Sequence, residues 1–188
     1  MKQKFKKDPV KRSQLENDIR HANEKVWDFY NKHPELRSKP KQKWGHKDYQ
    51  EYAQLKINVN KAEIAKSNYQ INNANLLKNE PGLGKIGIKN HDGFISDKQT
   101  LVTNWNKENE LLKHSMKSQQ AQYDSITSIE NIKSDTMKLK VSAYEKGKDA
   151  LNYQISKTKD PEIKKILRHI KGDNSVHLGK HGRKTLQK

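Results

Sequence analysis

The chain contains no cysteine, which excludes disulfides, thiolate zinc sites and cysteine nucleophiles together. It is also poor in apolar residues: the hydrophobic set makes up 31% of 188 residues, against roughly 45–50% in ordinary soluble domains. Leu, Ile, Val and Phe number 14, 14, 6 and 3, just under the ~20% share below which disorder competes with folding. One domain, or one domain with tails, is expected, without a large globular core. No stretch approaches the ~18 consecutive apolar residues of a membrane-spanning helix, so no transmembrane insertion is expected. Residues Met1 to Pro9 are basic with no apolar run behind them, unlike a secretory signal, and an intracellular protein is expected. Arginine is scarce, only 5 of the 39 basic residues. Since Arg is preferred for bidentate recognition of bases and phosphates, this scarcity argues against sequence-specific base reading.

What the chain has in abundance is lysine, which with the five arginines gives a formal charge of +17. Such an excess concentrates polyanions, and nucleic acid is the commonest partner, because every neutralised phosphate releases a counterion. The excess falls in three stretches. Residues 1–12 carry Lys2, Lys4, Lys6, Lys7, Lys11 and Arg12 against one acid. Residues 36–47 carry Arg37, Lys39, Lys41, Lys43 and Lys47 with no acid. Residues 164–188 carry Lys164, Lys165, Arg168, Lys171, Lys180, Arg183, Lys184 and Lys188 against Asp173 alone. Trp44 and Tyr49 interleave with the second stretch. That is the pattern of bases stacking over a cationic groove, or else of a Trp plugging the end of a helical bundle. Joint enrichment of Lys, Asn and Ile is also what a compositionally biased genome produces without selection for binding.

The apolar pattern is helical almost throughout. Asp8 and Pro9 suit the cap and first position of a helix. Leu15, Ile19, Ala22, Val26 and Phe29 then form one stripe, widened by Trp27 and Tyr30. Pro34 ends it. A second helix is predicted from about His46 to about Lys78, with Tyr52, Leu55, Val59, Ala62 and Tyr69 on one face and Ile57, Ile64 and Ile71 on another. Its many Asn residues are poor helix formers, so it needs tertiary contacts or a partner. Residues 80–95 are Gly-rich and read as a hinge. Ser96 with Gln99 is a capping box for a helix carrying Leu101, Trp105, Leu112, Met116, Tyr123 and Ile126. Met137, Val141, Tyr144, Leu151 and Ile155 continue the stripe, and Asp160-Pro161 opens a last helix ending at Gly172.

Gly82-Leu83-Gly84-Lys85-Ile86-Gly87 spells the dinucleotide fingerprint, but that motif works only between a strand and a helix. Here a helix is predicted before it, so the hinge reading is preferred. His177 and His181 have a spacing that a helix would bring together on a metal. Gly179 and Gly182 argue against a helix there, and no metal or cofactor is expected. Two histidines and a lysine also suffice for metal-independent RNA cleavage, as base, acid and cation for the phosphorane. Arg168-His169-Ile170-Lys171-Gly172-Asp173, followed by His177 and His181, resembles the start of the catalytic domain of EndoU-like bacterial nuclease toxins. The resemblance implies His169 with His177 or His181 as acid and base, and Lys180 or Lys184 as the cation. Carboxylates and serines elsewhere have no suggestive companions, so an enzyme is not the leading expectation.

The expected fold is mostly α: an extended helical bundle or helical hairpins, with coiled-coil-like long helices and basic flexible termini. The expected segments are a basic arm and first helix (1–33), a basic linker (34–46), a second helix (47–79), a hinge (80–95), a long helical hairpin (96–158), and a short helix with a basic tail (159–188). The leading expectation is a non-enzymatic protein binding nucleic acid or another polyanion, such as a nucleoprotein component, through lysine–phosphate contacts from the three basic stretches and Trp44. The alternatives are a structural protein that pairs with another chain, or with itself, through residues 101–155, and a fragment of a nuclease toxin.

Overall fold

The computed structural model describes residues 9–79 and 84–175. The protein is mostly α, a helical bundle: α1 (Pro9–Lys32), α2 (His46–Lys78), α3 (Gly84–Ser115), α4 (Gln119–Lys157) and α5 (Pro161–Ser175), with no strand among the described residues. Two 3-10 turns, Pro34–Leu36 and Lys41–Lys43, lie between α1 and α2. No described helix is long and apolar enough to cross a membrane. The described residues group into two compact units, residues 9–69 with 100–137, and residues 70–79, 84–99 and 138–175.

The first unit holds α1, the two turns and parts of α2, α3 and α4. α1, described from Pro9 with its expected cap Asp8 outside the described residues, carries Arg12–Glu16 (3.5 Å) and Arg20–Glu24 (3.1 Å) pairs spaced one turn along it. Its stripe turns inward as expected, with Leu15 and Phe29 buried, but Trp27 does not join it and stays exposed. The core gathers Phe29, Leu36, Trp44, Tyr49, Tyr52, Ala53, Ile57, Leu112, Ile126 and Ile129. A chain short of aliphatics thus builds its main core from a few large rings, whose payload per residue is high. α2 buries apolar residues on both of its predicted faces, Tyr52 and Val59 on one and Ile57 and Ile71 on the other. Of its asparagines, Asn60 is buried and donates from Nδ2 to Asn109 Oδ1 at 3.0 Å, the tertiary partner such a residue needs inside a helix.

The second unit holds the other parts of α2, α3 and α4 together with α5. Here the expected hinge over residues 80–95 is corrected for residues 84–95, which belong to α3 with Gly87 and Gly93 helical, while residues 80–83 lie outside the described residues. Gly84 makes the entry with φ of 68°, a left-handed value that glycine adopts without strain. The capping box at Ser96 falls in mid-helix. Tertiary packing overrides the ~1 kcal/mol that each helical glycine costs. Phe94 and Ile95 are buried, and Gly147 of α4 passes so close to Phe94 that a Cβ there would lie 2.8 Å from its ring. His91 meets Gln154 at 3.0 Å, and Lys78 Nζ meets Asp92 at 2.8 Å. Leu77, Leu151 and Leu167 form a small core with Ile155 and Ile170 against it.

The break after α3 falls at residues 116–118, where the Ser118 hydroxyl accepts from Ala121 N at 3.1 Å and caps α4. α4 then runs unbroken through Ser134. Asp160 caps α5 as its sequence predicts, accepting from the backbone N–H of Glu162 (2.8 Å) and Ile163 (3.3 Å). The helix continues past Gly172 to Ser175. Of the 101–155 stripe expected to face another chain, Leu101, Trp105, Leu112, Ile126 and Leu151 are buried within this one, while Tyr123 and Met137 remain exposed.

Candidate polyanion interface

The 36–47 segment is an ordered connection between α1 and α2, shaped by its prolines. Pro34 ends α1 and starts the first turn, which tucks Leu36 into the core. Pro40 precedes the second turn. Trp44 then closes the segment. Its indole Nε1 donates to Lys39 O at 2.7 Å, and its ring lies 5.2 Å from that of Tyr52 and 6.0 Å from that of Phe29. At 2% exposure Trp44 has no face to offer a base. Its expected place among the contact residues is therefore corrected: it plugs the bundle, because four neighbouring rings bury it more favourably than solvent or a ligand would.

A second anchor comes from α4. Gln122, fully buried, donates from Nε2 to Lys41 O (3.1 Å) and Trp44 O (3.4 Å). This orients Oε1 toward His46 Nδ1 at 3.1 Å, so the His46 ring carries its proton on Nδ1. Gln50 Nε2 donates to Met116 O at 2.7 Å. That bond holds the α3–α4 turn, with exposed Lys117, beside the start of α2. Lys117 was not singled out from the sequence, since only the fold brings residue 117 to residue 50.

The basic side chains of the segment divide into two sets. Arg37, Lys39, Lys43 and Lys47 are exposed. Arg37 Nη2 donates to Asn31 Oδ1 at 2.7 Å, and its guanidinium carbon lies 5.8 Å from the centroid of the Trp27 ring. Lys41 is different: its ammonium lies 5.5 Å from the Tyr52 ring and 5.8 Å from the Trp44 ring. Burial lowers its pKa, with the nearby Lys133 acting in the same direction and Glu130 opposing. Burial likewise raises Tyr30, Tyr49 and Tyr52, so these hydroxyls stay protonated and act as packing and hydrogen-bonding groups, Tyr49 with Ser115 and Tyr30 with Tyr52.

The other expected contact residues are placed only in part. Lys11 is exposed on α1, and Arg12 is tied to Glu16. Lys165, Arg168 and His169 are exposed on α5, with Lys164 half-buried. Lys2, Lys4, Lys6, Lys7, His177, Lys180, His181, Arg183 and Lys184 lie outside the described residues, as does the side chain of Lys171. The nuclease constellation therefore falls mostly outside them. Among the described residues no group of three His, Cys, Asp or Glu side chains could hold a metal. The glycine fingerprint, part of which is not described, has no strand before it among the described residues. No protein-family model, curated protein or solved structure matches this chain.

Proposed function

We propose that this chain is a non-enzymatic helical protein that binds nucleic acid, or a polyanion of like charge density, mainly through lysine–phosphate contacts. One observation carries the reading: the 36–47 segment, held by Trp44, Leu36 and Gln122, presents Arg37, Lys39, Lys43 and Lys47 to solvent with no acidic residue in the segment. A pinned backbone reduces the entropy lost when those side chains settle on phosphates. Lys117 and the α5 residues Lys165 and Arg168 add to the same chemistry. Point-charge lysines give affinity with little base selectivity.

The test is fluorescence anisotropy of labelled RNA and DNA across a range of salt concentrations. Binding that weakens steeply with salt is expected. Replacing Arg37, Lys39, Lys43 and Lys47 together by Gln should flatten the slope of log K against log salt by about 3 to 4. The absence of binding at physiological salt, or a slope untouched by the four substitutions, overturns the reading. The bound RNA is then run on a denaturing gel. Cleavage that disappears in His169→Ala would favour the nuclease alternative instead.

A further inference from the structure

We propose that Trp27 on α1 is a stacking platform for unpaired bases, so that the chain selects single-stranded over duplex nucleic acid; this rests on the phosphate-binding reading above. Tryptophan is among the residues with most to gain from burial, yet Trp27 is 64% exposed, against 2% for Trp44 and 3% for Trp105. Its surroundings carry both signs of charge, with exposed Asp28 next to it in the chain and Glu35 two residues before Arg37. Arg37 lies 5.8 Å from the ring centroid and is held there by Asn31, and Lys39 follows two residues on, exposed. Glu24, the acid one turn before Trp27, is engaged by Arg20 at 3.1 Å. A largely exposed indole with a guanidinium held over its ring, and an exposed lysine close by in the chain, combines the two elements of sequence-tolerant single-strand binding: a π-face for the base, on the side Arg37 leaves free, and cations for the phosphates. In a duplex the base faces are covered by their neighbours and cannot reach a ring standing on a helix surface.

The burial of the other two tryptophans supplies the experiment. Intrinsic tryptophan emission is followed while the full chain is titrated with short oligo-dT, oligo-U and a duplex of equal length, with anisotropy recorded in parallel. Single strands are expected to quench the Trp27 emission and to bind more tightly than duplex. Trp27→Ala should weaken single-strand binding about 5- to 150-fold with the salt slope unchanged, because stacking releases no counterions. Trp27→Phe should retain most of the affinity while losing the quench. Since Trp27 contributes nothing to the buried core, circular dichroism of the variants should match the parent. Binding without quenching, equal quenching by duplex, or an unchanged affinity in Trp27→Ala overturns the stacking inference and leaves the phosphate reading standing. No binding by any of the three probes overturns both.

Discussion

Gly147 tests whether close helix packing, rather than intrinsic propensity, decides the structure of the second unit. A Cβ built on Gly147 would stand 2.8 Å from Phe94 Cδ2 and 3.0 Å from its Cε2, whereas carbon atoms settle at about 3.5–4.0 Å. The ring would have to retreat by about 0.7 Å or more, and Phe94 is itself buried with little room to do so. Overpacking of this kind costs about 1–3 kcal/mol, while replacing a helical glycine by alanine returns about 1 kcal/mol. Gly147→Ala is therefore expected to lose about 1 kcal/mol of stability. Gly93 is the internal control. Its added Cβ would meet only the aliphatic stem of Lys146, with Cδ at 3.3 Å, and that half-exposed stem need shift only slightly while its ammonium stays on Asp97. Gly93→Ala should gain about 0.5–1 kcal/mol. Urea denaturation followed by circular dichroism reads both variants as midpoint shifts at constant m. Phe94→Leu in the Gly147→Ala background should recover part of the loss, a coupling that independent sites would not show. If Gly147→Ala is as stable as the parent, or shifts in the same direction as Gly93→Ala, the close α3–α4 approach is wrong.

Two further predictions concern buried ionisable groups. His91 donates from Nε2 to Gln154 Oε1 at 3.0 Å, a direction set by Gln154 Nε2 donating to Leu77 O at 3.1 Å. Burial lowers its pKa below 6.5, opposed by Gln154 and Asp92 and assisted by Lys78. The unfolded chain thus takes up a proton at higher pH than the folded one. The stability His91 confers is complete above about pH 6.5 and lost as the pH falls below it. A parent urea midpoint that drops no faster toward pH 5 than that of His91→Gln would refute this. In the first unit, Lys66 Nζ sits 3.3 Å from Glu16 Oε1, with 8% of the lysine side chain exposed. Burial lowers the Lys66 pKa, and Glu16 is the first of the groups opposing it. Glu16→Gln should cost about 1 kcal/mol, a modest figure because Glu16 is partly exposed. Adding Lys66→Met should recover most of that loss, and a double variant no better than Glu16→Gln would contradict the pairing.

Much of the architecture is legible in the chain because its helix signals are local. Pro34 ends α1, and Asp160 caps α5. Local signals mislead where burial depends on distant residues. The glycines between residues 84 and 93 read as a hinge until Phe94 is seen against Gly147 and His91 against Gln154, and nothing in residues 80–95 alone announces that. The tryptophans exchange roles for a similar reason. At 100° per residue Trp27 stands about 120° from the centre of the α1 stripe, so a helical wheel does place it outside. Trp44 sits in a connection without periodicity, and its burial is decided by Phe29, Tyr52 and Gln122. A basic, aromatic-bearing segment invited the assignment of base contact to the nearer ring, whereas the exposed ring is that of Trp27 on α1, 5.8 Å from Arg37.

The 36–47 segment separates folding from charge. The side chains that fix it are neutral: Leu36 and Trp44 in the core, with Gln122 bonding its carbonyls from α4. Of its five basic side chains, Lys41 lies against the core rings, and there burial weakens its hold on a proton. Arg37 reaches Asn31 and the Trp27 ring, while Lys39, Lys43 and Lys47 project into water, where an isolated charge contributes little to stability. Lysines placed to hold a fold would be paired or buried. A row of like charges left exposed on a rigid connection, at some cost in mutual repulsion, is instead the arrangement expected where an external anion supplies the missing partner. A variant with Lys39, Lys43 and Lys47 replaced by Gln should therefore be at least as stable as the parent at low salt. A marked loss of stability in that variant would mean that these side chains support the fold itself.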